Sequence, residues 1–199
     1  NVHALLITNE TVLMLWLFIL MQDDLEDAVN FMVKKGYADP KNVCIVGASY
    51  GGYAALMGAV KTPDLYRCSV SINGVSHLRD LIANDKKEVD DDALMEKYWH
   101  QRIGHPTKDA AMLDANSPAL HADKIKAPIL LVASTKDTRV PFAQSKTMAS
   151  ALEKNKRDFN FVKVKDADHN PFVYKKDMEM VFSELEQFLA KHLQAASPK

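Results

Sequence analysis

A chain of 199 residues is long enough for one α/β domain with a real hydrophobic core. Hydrophobic residues make up 47% of it and charged residues 26%, an ordinary balance for a soluble globular protein. A formal net charge of −1 gives no electrostatic case for a nucleic-acid partner.

The chain opens on Asn1, and Val12 to Met21 are ten consecutive apolar residues. That is too short for a clear membrane span, which takes about 20. Only His3, with no Lys or Arg, precedes it, so no signal peptide is readable. Residues 1–20 are expected to be an atypical apolar leader forming a buried strand or helix segment, and residues 21–199 the main domain. The compartment, cytoplasmic or periplasmic, stays unread.

Asp23 or Asp24 can cap a helix, with Glu26 in the capping-box position three residues beyond Asp23. Leu25, Ala28, Val29, Met32 and Val33 follow at helical spacing, and Gly36 is the expected stop. "VCIVG" then reads as a strand buried on both faces, followed by a glycine corner and a helix over about 51–60. "CSVSI" at 68–72 and "APILLVAS" at 127–134 read as strands, separated by a polar and partly helical stretch containing "NDKKEVDDD". That stretch reads as a solvated loop and helix start. A helix over about 142–154, a strand at 159–165 and a helix over about 177–193 complete the chain. The last helix carries Met178, Val181, Phe182, Leu185 and Leu189 as its apolar stripe. Repeated βα units predict a mostly parallel sheet with helices on both faces. Cys44 and Cys68 each open a strand and match no zinc or redox spacing, so buried free thiols are expected, and no metal site or cofactor.

Gly47-Ala48-Ser49-Tyr50-Gly51 fits G-x-S-x-G between a predicted strand and a predicted helix. A nucleophile there projects its Oγ above the sheet on strained backbone, and side chains two residues either side would clash, so glycine is expected at both places. The Tyr50 N–H, at the helix amino end, faces the oxygen that becomes negative in acyl transfer. A serine hydroxyl needs a base to take its proton. In the α/β-hydrolase fold the chain order is serine, acid, histidine. His3 fails that order, and His77, His100, His105 and His121 precede the strand that should supply the acid. Of the remaining two, His192 sits in the last turn of a helix, where the helix dipole explains it. His169 follows a strand, in "DADHNP". For the acid, Asp137 lies three residues beyond "APILLVAS"; Asp123 and Asp158 precede strands, while Asp166 and Asp168 crowd the histidine loop. Ser49, Asp137 and His169 are therefore the expected triad, with Asp137 fixing the His169 tautomer.

These residues resemble the catalytic domain of the prolyl oligopeptidase family of serine peptidases, in its acylaminoacyl-peptidase and dipeptidyl-peptidase branch. "GASYGGYA", "ANSPALHADKIKAPILLV", "DTRVP" and "DADH" fall in family order over about Met21 to Leu193. The resemblance implies Ser49 as nucleophile, Asp137 and His169 as its partners, the Tyr50 amide as one oxyanion donor, and a peptide substrate. It places Arg139 where relatives use a polar side chain to hold a carbonyl of the bound peptide. Two departures stand out. Ala133-Ser134 replaces the usual His-Gly pair, so a modest loop change is expected. The amino-terminal propeller and first hydrolase strands of relatives are not among these residues, which makes 21–199 a partial domain on this reading. An esterase on the same fold, or a catalytically silent remnant acting by association through its apolar leader or an open sheet edge, are the competing readings, and formation of a homo-oligomer stays open.

Overall fold

The computed structural model describes residues 10–84 and 103–193, with the backbone alone for residues 10–20 and 84. In chain order the elements are α1 (Glu10–Lys34), β1 (Cys44–Ala48), α2 (Tyr50–Lys61), β2 (Cys68–Ile72), α3 (Leu78–Asn84), α4 (Ala110–Ala115), a 3-10 segment (Pro118–Lys124), β3 (Ile129–Ser134), α5 (Phe142–Lys154), β4 (Phe159–Val164) and α6 (Lys175–His192). Among the described residues the strands form one parallel sheet in the order β1-β2-β3-β4. No helix among them is long and apolar enough to cross a membrane. All of "NDKKEVDDD" after its first residue, including the acidic run Asp90 to Asp92, lies outside the described residues.

β2 and β3 are buried along their whole length because both faces of the sheet are covered there. The expectation that "VCIVG" is buried on both faces is corrected: β1 is the end strand of the described sheet and leaves Val46 and Ala48 exposed. Along β3, Ile129 and Leu131 enter one core cluster with Leu56, Met148 and Leu152 from α2 and α5. Leu130 and Val132 enter a second, with Val70 of β2 and Val181 and Phe188 of α6. Period-two alternation thus divides one strand between two cores. Helix α2 is buried from Gly52 to Val60, which is why it is apolar on all sides. It crosses the β2–α3 loop so closely that a Cβ on Gly52 would lie 2.8 Å from Gly74 Cα.

Three further expectations change. Helix α1 is continuous through Asp23 and Asp24, so neither begins it. No glycine or proline stands between Glu10 and Lys35 to break the backbone, and a capping sequence inside such a run stays helical. Its end does come at Gly36, at φ +72, where the Gly36 and Tyr37 N–H groups donate to Val33 and Met32 carbonyls. Cys44 and Cys68 form a disulfide instead of two thiols, because strand register sets them side by side with Cα atoms 4.7 Å apart. On α6, Phe182 is exposed and pairs its ring with Phe172, while Val181 and Phe188 take the core positions.

Candidate active site

In a parallel sheet every strand ends on the same edge, so the loops after β1, β2, β3 and β4 lie side by side. The hydrogen-bond ladder runs past the strands into these loops. Ser49 N–H donates to the Ile72 carbonyl (2.8 Å), Asn73 N–H to Val132 (2.8 Å), and Thr135 N–H to Val164 (3.0 Å).

Ser49 occupies the single residue between β1 and α2, at φ 56° and ψ −120°. A serine at positive φ is strained by roughly 1–3 kcal/mol. The corner is tight on one side only. A Cβ on Gly47 would lie 2.1 Å from the Gly51 carbonyl oxygen, whereas one on Gly51 would meet nothing within 4 Å. Glycine is therefore demanded at Gly47, and the expectation of a clash at Gly51 is corrected. Tyr50 is the first residue of α2, which sets its backbone N–H in the amino-terminal turn of the helix, next to Ser49 in the chain. The Tyr50 hydroxyl donates to Met21 Sδ at 3.6 Å, and burial raises its pKa.

His169 reaches Ser49 from the loop after β4. Its Nε2 lies 2.9 Å from Ser49 Oγ and its Nδ1 2.8 Å from Asp137 Oδ2. Asp137, in the loop after β3, has a side chain only 1% exposed, and its other oxygen accepts the N–H groups of Arg139 (2.9 Å) and Val140 (2.8 Å). Two backbone N–H groups and the His169 ring thus hold a buried carboxylate that would otherwise be costly. The arrangement can pass a proton from a hydroxyl to an imidazole while a carboxylate orients the ring. The Arg139 side chain is exposed, at the rim of the same loop.

The other histidines among the described residues are engaged elsewhere. The ring of His77 faces Asp80, that of His105 faces Thr107, and that of His121 the Asp114 carbonyl. His192 lies against the Phe188 ring at 4.6 Å, and its carbonyl accepts from Arg67. Burial, followed by the Lys191 charge, pushes its pKa down. Asp166 pairs with Lys136 at 3.0 Å.

Three side chains around the site were not read from the sequence. Asp168 Oδ1 accepts from the Thr138 N–H, the Thr138 hydroxyl and the His169 N–H, which holds its carboxyl below the usual range, the His169 bond first. Buried Asn73 bonds both Ser134 and the His169 carbonyl. The Asn73-Gly74 pair was the available signal, since Asn-Gly marks a positive-φ turn. Ser134 is fully buried, and its hydroxyl accepts from Asn73. Among the described residues no group of three or more His, Cys, Asp or Glu is placed to hold a metal ion.

Comparison with known proteins agrees with this architecture. The family model described as "Prolyl oligopeptidase family" matches residues 21–196. Dipeptidyl aminopeptidase BIII of Pseudoxanthomonas mexicana is 35% identical over 158 residues, 75% of this chain and 22% of that protein. Dipeptidyl peptidase family member 6 of Caenorhabditis elegans is 30% identical over 183 residues, 87% of this chain and 23% of that protein. The chain therefore spans less than a quarter of the length of these relatives. Among solved structures, Pyrococcus horikoshii acylaminoacyl peptidase superposes with a TM-score of 0.74 at 21% identity, over 89% of this chain and 28% of that one. A puromycin-hydrolyzing peptidase of Mycobacterium tuberculosis gives 0.73 at 26% identity, over 86% and 25%. The fold is that of the α/β-hydrolase peptidases. On the family match and on these relatives, the chain belongs to the prolyl oligopeptidase family.

Proposed function

We propose that this chain carries the catalytic triad of a serine peptidase that hydrolyses short peptides through an acyl-enzyme. The observation that supports it most is the unbroken path from strained Ser49 through both ring nitrogens of His169 to buried Asp137, at 2.9 and 2.8 Å. The peptide substrate class rests on the relatives, whose names are those of peptidases.

In this reading Ser49 Oγ attacks the scissile carbonyl carbon while its proton passes to His169 Nε2. Asp137 accepts the Nδ1–H and stabilises the resulting imidazolium. The carbonyl oxygen gains the negative charge and takes the Tyr50 N–H; a donor of this kind contributes about 2.7–4 kcal/mol. Collapse of the tetrahedral adduct breaks the C–N bond, and His169 gives its proton to the departing amine. A water deprotonated by His169 then attacks the Ser49 ester and releases the acid. The family resemblance assigns exposed Arg139, two residues beyond Asp137, to a carbonyl of the bound peptide. No step calls on a metal or cofactor.

The test compares an aminoacyl-naphthylamide with a nitrophenyl ester, for the protein and for Ser49→Ala. Turnover of the amide that vanishes in Ser49→Ala is the expected result. Turnover of the ester alone makes the protein an esterase on the same fold.

A further inference from the structure

Asn73 follows β2 directly, at φ +49, a region that asparagine enters more readily than most residues. It is 4% exposed, and its amide is fully engaged. Nδ2 donates to Ser134 Oγ (3.0 Å) and to the His169 carbonyl (2.8 Å), while Oδ1 accepts the Ser134 N–H (2.7 Å). One partner is a carbonyl and the other an N–H, so the orientation of the amide is unambiguous. The residue stands where the histidine loop most needs support. His169 starts from β4 and must reach Ser49 on β1, three strands away, which is ~14 Å at the usual strand spacing. Asn73 meets that loop at β2, immediately beside the Ile72 carbonyl that holds the Ser49 N–H.

We propose that Asn73 is a positioning residue for His169. The Asp137 bond fixes one atom of the imidazole and leaves the ring free to swing about it; the main chain of His169 must be held as well. Asp168 takes its N–H at 2.7 Å and Asn73 its carbonyl, so side chains hold both backbone groups of the residue. Asn73 touches no substrate in this role. It sets how far the loop reaches over the sheet, and through that the 2.9 Å separation of Nε2 from Ser49 Oγ. The same amide ties the histidine loop to the end of β3 through Ser134, so the acid and the base move as one unit. The inference rests on reading Ser49, His169 and Asp137 as a triad.

The experiment measures the rate at which a fluorophosphonate labels Ser49 from pH 5 to 9, together with the melting temperature. Asn73→Gly keeps the positive φ and removes the amide. Asn73→Asp keeps the volume but sets an oxygen against the His169 carbonyl, and it is the variant to read if the glycine variant melts early. Ser134→Ala leaves the His169 bond in place. Labelling slowed about 10- to 100-fold in Asn73→Gly and Asn73→Asp, with Ser134→Ala affected less than about threefold, is the expected result. Equal rates in Asn73→Gly and the parent protein, or equal losses in all three variants, overturn the proposal. Failure of the parent protein to label strikes the triad reading instead. The ring-nitrogen NMR shifts of His169 then decide the role of Asn73: a change in Asn73→Gly supports it, and identical shifts contradict it.

Discussion

Asp137 Oδ2 stands 2.8 Å from His169 Nδ1 while its partner oxygen is pinned by two backbone N–H groups of its own loop. The carboxylate therefore acts as a fixed anchor, and the imidazole orients to it. Asp137→Asn keeps the shape but presents an N–H₂ or a neutral oxygen to Nδ1, favouring the wrong tautomer. We predict a fall in turnover of about 10⁴-fold with little change in melting temperature. Steady-state kinetics check this, and retention of a tenth of the activity contradicts it.

Gly47 has no room for a methyl group, since its Cβ would fall 2.1 Å from the Gly51 carbonyl oxygen. Neither atom can step aside without opening the turn that presents Ser49. Gly47→Ala should destabilise the fold by about 3 kcal/mol and abolish turnover, whereas Gly51→Ala, which meets nothing, should fold normally. Urea unfolding of the two variants separates them.

The strain at Ser49 predicts an opposite pairing of stability and function. Ser49→Gly relieves a positive φ at the cost of extra chain entropy, for a net gain of about 1 kcal/mol, and removes the hydroxyl altogether. A higher melting temperature in an inactive protein is the expected outcome. An unchanged or lower one shows that the corner is relaxed.

His192 gives a pH dependence with a definite sign. Its folded pKa lies below the ordinary histidine value of 6.5, through burial first and then Lys191, against an opposing pull from Asp158, with Arg67 adding least. As pH falls, the unfolded chain takes up the proton first, so this contribution to stability is present above about 6.5 and is lost below it. Thermal melts between pH 5 and 8 should therefore rise more steeply for the parent protein than for His192→Gln. His192→Gln should also leave turnover intact.

The Cys44–Cys68 bridge closes a loop with a sequence separation of 24 that contains the whole corner around Ser49. Opening it should cost about 3 kcal/mol by the chain-entropy account. The paired Cys44→Ala, Cys68→Ala protein, unfolded in urea beside its parent, measures this. Two titratable thiols in the native protein would contradict the pairing.

Much of this was legible in the chain itself. Buried parallel strands must be apolar on both sides, so "CSVSI" and "APILLVAS" announce themselves, and the ends of such strands locate Ser49, Asp137 and His169 along one edge. What stayed hidden depends on register and on long-range contact. Nothing in the spacing of Cys44 and Cys68 says that β1 and β2 align them. The capping sequence at Asp23 looks like a helix start until the unbroken helical run before it is weighed. Asn73 reads as a turn residue, because its partners lie 61 and 96 residues away.

The central claim is that His169 and Asp137 make Ser49 a nucleophile. Incubation with a fluorophosphonate, followed by peptide mass mapping, tests it most directly. The account predicts a single labelled peptide containing Ser49, with labelling lost in Ser49→Ala and nearly lost in His169→Ala. Absence of labelling in the parent protein, or labelling that persists in His169→Ala, would contradict it.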